Sequence, residues 1–76
     1  MSTTPVIRVM CVEDHRIVRE GLALIIGRQP DMEVVGTASS GEEAVELFDR
    51  FRPDITLMDL NLRGMSGLDA IREIRK

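Results

Sequence analysis

Ile7-Arg8-Val9-Met10-Cys11-Val12-Glu13-Asp14 runs through nearly continuous apolar residues and then stops on two acids. A strand buried on both faces reads this way, because neither side needs a polar alternation. A second apolar run, Ile55-Thr56-Leu57-Met58, also ends on an acid, Asp59. Carboxylates just past the last apolar residue of a strand stand at the carboxyl edge of a parallel sheet, where open α/β folds bind ligands. Three clustered carboxylates repel one another unless they share a divalent cation. Hard oxygen donors of this kind suit Mg²⁺.

Outward from these runs, the pattern alternates strand and helix with no linker or repeat. From Arg16 to Arg28, Val18, Leu22, Ile25 and Ile26 recur at helical spacing, and Gln29-Pro30-Asp31 stops that helix. Glu33 to Ala38 reads as a shorter strand. Ser40 and Glu43 have capping-box spacing, and Ala44, Leu47, Phe48 and Phe51 follow as one helical face. Arg52-Pro53-Asp54 ends that helix before the strand Ile55 to Met58. Asn61 to Ser66 is a loop, Ser66 and Asp69 form another capping pair, and Gly67, Ala70, Ile71 and Ile74 begin a third apolar face. No glycine or proline stop follows, so this helix is expected still to be running at Lys76.

Alternating strands and helices with right-handed crossovers give a parallel α/β sheet. Two strand orders are natural, 3-2-1 and 2-1-3. Neighbouring strands lie about 4.8 Å apart, so order 2-1-3 puts Asp59 beside Asp14, while 3-2-1 separates them by roughly twice that. A shared cation selects 2-1-3, a flavodoxin-like (βα)3 arrangement in three layers.

At 76 residues the chain is at most one small domain, with an aliphatic core, since it has two Phe and neither Trp nor Tyr. Residues 1–5 read as a flexible leader. The apolar run from Leu22 to Ile26 is far too short for a membrane span, and no secretory signal opens the chain. Lone Cys11 reads as a buried small hydrophobe in a reducing compartment, the cytoplasm by default. A net charge of −3 with scattered basic residues argues against direct nucleic-acid binding. Arg72, Arg75 and Lys76 instead complement the carboxyl end of a helix.

Each candidate has a plainer role beside the sharp one. Asp14 is a natural N-cap for the helix starting near Arg16. Asp59 suits a strand poorly, which favours a working role. Asn61 offers a backbone carbonyl to a cation or merely shapes the turn. His15 reads as a loop residue, because a lone histidine without Cys or a second His is a poor zinc site.

Val12-Glu-Asp-His15, Leu57-Met-Asp-Leu-Asn-Leu62, Gly64-Met-Ser-Gly-Leu68 and Ala38-Ser-Ser-Gly-Glu-Glu-Ala44 resemble the response-regulator receiver domain. The wording is closest to the NarL/FixJ branch, whose members carry a LuxR-type helix-turn-helix. The resemblance covers essentially the whole chain and implies a CheY-like fold. It implies that Asp59 accepts a phosphoryl group from a sensor kinase histidine. It also implies that Glu13, Asp14, Asp59 and the Asn61 carbonyl hold Mg²⁺. Receivers continue to a fourth strand followed by a phosphate-binding hydroxyl and a fifth followed by a lysine. Neither has a counterpart here, so residues 6–76 read as the amino-terminal portion of a receiver. Arg63 stands where the family often has proline and reads as solvent-facing.

The resemblance therefore implies weak Mg²⁺ binding and slow or absent phosphorylation, with DNA contact left to a separate domain. The open edge of the third strand predicts self-association. Two rival readings stand beside this. One is an interaction module that works without phosphorylation. The other is a phosphatase of haloacid-dehalogenase type, which carries an aspartate where this chain has Asn61.

Overall fold

The computed structural model describes residues 5–62 and 64–76. Residues 1–4 of the expected leader, and Arg63, lie outside the described residues. Three strands and three helices alternate: β1 (Ile7–Val12), α1 (Arg16–Gly27), β2 (Met32–Ala38), α2 (Gly41–Phe51), β3 (Ile55–Met58) and α3 (Gly67–Ile74). The sheet is parallel in the order β2-β1-β3, the arrangement that the carboxylates require.

Period-two alternation in β1 builds two cores from one strand. Met10 and Val12 point to one face and join Ala38, Ala44 and Leu62, with Leu47, Phe48 and Met58 packed alongside. Val9 and Cys11 point to the other and meet Ile26, with Leu22, Met32 and Val34 around them. Helix α2 covers the first face, with α3 packed against α2, and α1 covers the second, which gives the three layers. Burial pushes the Cys11 thiol pKa up, so it behaves as a hydrophobe and not as a nucleophile.

Several local readings need correction. Helix α1 ends at Gly27, where the Arg28 amide returns to the Ile25 carbonyl and the Gln29 amide to the Ile26 carbonyl. The apolar stripe on α1 is only partly covered: Ile26 is buried and Leu22 half-buried, whereas Val18 and Ile25 are exposed. Val18 and Leu22 of α1 and Leu57 of β3 line an open trough of about 350 Å³. On the same side, Ile55 and Leu57 of β3 remain exposed. Helix α3 is not running at Lys76. It stops at Ile74, and the Arg75 amide bonds to the Ile71 carbonyl. The α2 capping box is displaced by one residue: Ser40 Oγ accepts the Glu43 amide, but the Glu43 carboxylate accepts from Ser39.

At the far end of the sheet, Arg8 ties β1 to the end of α2. Its guanidinium donates to the Phe51 carbonyl at 2.6 Å and the Arg52 carbonyl at 3.0 Å. Those are carbonyls that a helix C-terminus leaves without intrahelical partners. Arg52 itself closes the helix in the left-handed region, at φ 46°.

Candidate functional site

Backbone pairing continues one residue past the registered ends of the strands. The Glu13 amide donates to the Ala38 carbonyl and the Asp59 amide to the Val12 carbonyl, both at 3.0 Å. These two bonds carry Glu13 and Asp59 off neighbouring strands at the same level. Arg19, one turn into α1, donates to the Glu13 carbonyl at 2.8 Å and ties the β1–α1 connection to the helix.

Glu13, Asp14, His15 and Asp59 each present a ligand atom, and these atoms all lie within 4.8 Å of one another. Glu13 is buried, Asp14 and Asp59 are half-buried, and His15 is exposed. Asp59 stands beside Asp14 as strand spacing suggests, and it meets Glu13 as well. A hydrogen bond between the two carboxyl groups, followed by burial, raises the Glu13 pKa above its ordinary value. The same bond, reinforced by the Asn61 amide donating to Asp59 Oδ1 at 2.9 Å, lowers that of Asp59. The two carboxyls are thus driven in opposite directions, and Asp59 is the one favoured as the anion.

Asp14 does not cap α1. The N-cap is His15, whose side chain makes no capping bond. Its ring Nδ1 lies 3.0 Å from Asp14 Oδ1 and 3.2 Å from Glu13 Oε1. The loop role expected for His15 is thus incomplete, since the ring faces the acid cluster. Lack of metal-ligand spacing to a second histidine hid this, although its adjacency to two acids was a usable signal. Asn61 is exposed, and its described contact is the amide bond to Asp59.

The donor set fits a hard divalent cation: three carboxylates of high charge density converge within reach of one ion. A cation seated among them would offset the negative charge that these groups bring together. Among the described residues, no helix is long and apolar enough to cross a membrane.

Comparison with known proteins agrees with this geometry. The response regulator receiver domain family matches residues 9–76. The transcriptional regulatory protein LiaR of Bacillus subtilis is 48% identical over 68 residues, 90% of this chain and 32% of that protein. The nitrate/nitrite response regulator protein NarL of Escherichia coli is 38% identical over 76 residues, all of this chain and 35% of that protein. A LuxR-family two-component response regulator from Aurantimonas sp. superposes with a TM-score of 0.87 at 46% identity, covering 92% of this chain and 50% of that one. The signal receiver domain of a NarL-type regulator from Mycobacterium tuberculosis gives 0.88 at 32%, covering 93% and 57%. The chain thus spans about a third of the length of the curated relatives it matches and about half of these solved chains. On these matches, and on an acidic cluster at the carboxyl edge of a 2-1-3 sheet, the chain belongs to the response regulator receiver domain family.

Proposed function

We propose that this chain is the phosphoacceptor portion of a receiver in a two-component response regulator, with Asp59 taking a phosphoryl group from a sensor kinase histidine. The observation that carries this is the convergence of Glu13, Asp14 and Asp59 at the carboxyl edge of the sheet, their ligand atoms within 4.8 Å of one another. A nucleophilic carboxylate has to be ionised and reachable, and half-buried Asp59 at the sheet edge is both. One of its oxygens attacks phosphorus as the kinase imidazole leaves.

Glu13, Asp14, Asp59 and the Asn61 carbonyl would hold Mg²⁺. The ion would offset charge between the carboxylates and the incoming phosphoryl oxygens. The Asn61 amide bond to Oδ1 fixes how the Asp59 carboxylate is turned. Residues 6–76 are then the amino-terminal portion of the receiver. Transcriptional control would belong to the parent protein, with DNA bound outside this chain. Cys11, buried and reduced, fits work in the cytoplasm.

Acetyl phosphate with Mg²⁺, followed by intact mass, tests the assignment. Slow addition of one phosphoryl group, abolished in Asp59→Asn, is the expected result. Equal labelling of the variant, or none at saturating donor, overturns it.

Exposed Ile55 and Leu57 on the open β3 edge support self-association as well. Sedimentation should show a dimer or larger species at micromolar concentration. A folded monomer there rules this out.

A further inference from the structure

We propose that Glu42 is a positioning residue for the Asp59 site, latching the loop after β3 onto the first turn of α2. This rests on the phosphoacceptor reading above. Two adjacent glutamates open α2, and they do different things. Glu43 serves the helix: its Oε1 accepts the Ser39 amide at 2.8 Å while its own amide donates to Ser40 Oγ. Glu42 turns to the β3–α3 loop, where its Oε1 accepts the Met65 amide at 2.7 Å across 23 residues of chain. An acid in a first helical turn is already favourable beside the helix dipole, so α2 itself has no need of this bond.

The contact is built from both sides. A Cβ on Gly41 would stand 2.6 Å from the Met65 carbonyl oxygen, so only glycine lets the loop lie against α2 there. Gly64 turns the chain at φ 71°, and a Cβ on it would stand 3.3 Å from Glu42 Oε1. Met65 is therefore gripped at its carbonyl by close packing and at its amide by a carboxylate. Beyond it, Gly67 lies beneath the Asp59 and Leu60 backbone. The segment between these anchors begins with Asp59 and contains the Asn61 amide that bonds it. Holding Met65 limits how far that segment swings, and so keeps the Asn61 amide on Asp59 Oδ1.

The test uses the full chain, ¹⁵N-labelled, as wild type, Glu42→Ala and Glu42→Gln. Amide spectra are recorded without metal and through a Mg²⁺ titration, beside thermal unfolding. Glu42→Ala should move the Asn61 amide resonance and weaken Mg²⁺ affinity by about three- to tenfold. Glu42→Gln keeps an acceptor oxygen within reach of Met65 and should restore both. An unmoved Asn61 resonance with unchanged Mg²⁺ affinity in folded Glu42→Ala overturns the proposal. Equal losses in both variants overturn it too, because charge and not the latch would then be the cause. If Glu42→Ala does not fold, Glu42→Asp, a methylene too short to reach Met65, is read the same way. Wild type that binds no Mg²⁺ defeats the phosphoacceptor reading, while the metal-free Asn61 resonance still decides the latch.

Discussion

Gly67→Ala tests whether the backbone around Asp59 is as tightly seated as the structure shows. Gly67 is the first residue of α3 and is buried. A Cβ there would stand 2.7 Å from Leu60 Cα and 2.9 Å from the Asp59 carbonyl carbon, and would overlap the Asp59 carbonyl oxygen. Every one of these atoms is backbone, so no rotamer change relieves the clash. Ordinary contact begins at 3.4 Å, so the loop has to retreat by about 0.7 Å or more. Overpacking of this kind costs about 1–3 kcal/mol. The expected sign is informative, because in an open helix the same change would stabilise by about 0.8–1 kcal/mol. A chain of 76 residues has about 4–11 kcal/mol in all, so the loss is a sizeable share. At about 4–8 °C per kcal/mol, the melting temperature followed by circular dichroism should fall by about 4–24 °C. Mg²⁺ affinity should fall with it, since the displaced atoms include those of Asp59. An unchanged or raised melting temperature would refute the reasoning.

Glu13→Gln should raise the melting temperature of the metal-free chain at neutral pH and abolish Mg²⁺ binding. Glu13 has a raised folded pKa, so its contribution is present below the unfolded carboxylate value and is lost as pH rises through the folded one. The advantage of the variant should therefore vanish on acidification, and a difference that persists in acid would contradict the raised Glu13 pKa. Arg8→Ala should cost about 1.5 kcal/mol in urea unfolding, because its charged donor serves two carbonyls at the end of α2. An unchanged urea midpoint would show that water replaces the guanidinium without loss.

The strand order was legible because it rested on chemistry as well as pattern: acids ending two buried runs have to meet, and only one order allows it. Capping pairs at Ser40 and Ser66 were legible for a local reason, as the serine and the amide that donates to it lie within one helical turn. The finer pairing was not. That Asp59 meets Glu13 as well as Asp14 depends on how far each strand continues past its last apolar residue, which the Val12 and Ala38 carbonyls decide. Glu42 was missed because it acts through a contact set by packing across the fold, and its spacing does not distinguish it from a surface residue. His15 differs, since the acids it faces are its own sequence neighbours. Exposure of Val18 and Ile25 was equally hidden, since periodicity shows that a face is apolar without showing what lies against it.

Two sheet hydrogen bonds, Glu13 to Ala38 and Asp59 to Val12, hold the acid pair together only while the chain is folded. In the unfolded ensemble these carboxylates are far apart and cost nothing, so their crowding is a penalty charged to the native state alone. Any cation that recognises the assembled set then binds one side of the folding equilibrium and pulls it, by about 2.7 kcal/mol at a hundredfold excess over its dissociation constant. Thermal stability in this molecule is thus also a binding isotherm. A melting curve recorded across a metal series would rank ions by affinity without a single spectroscopic probe in the site.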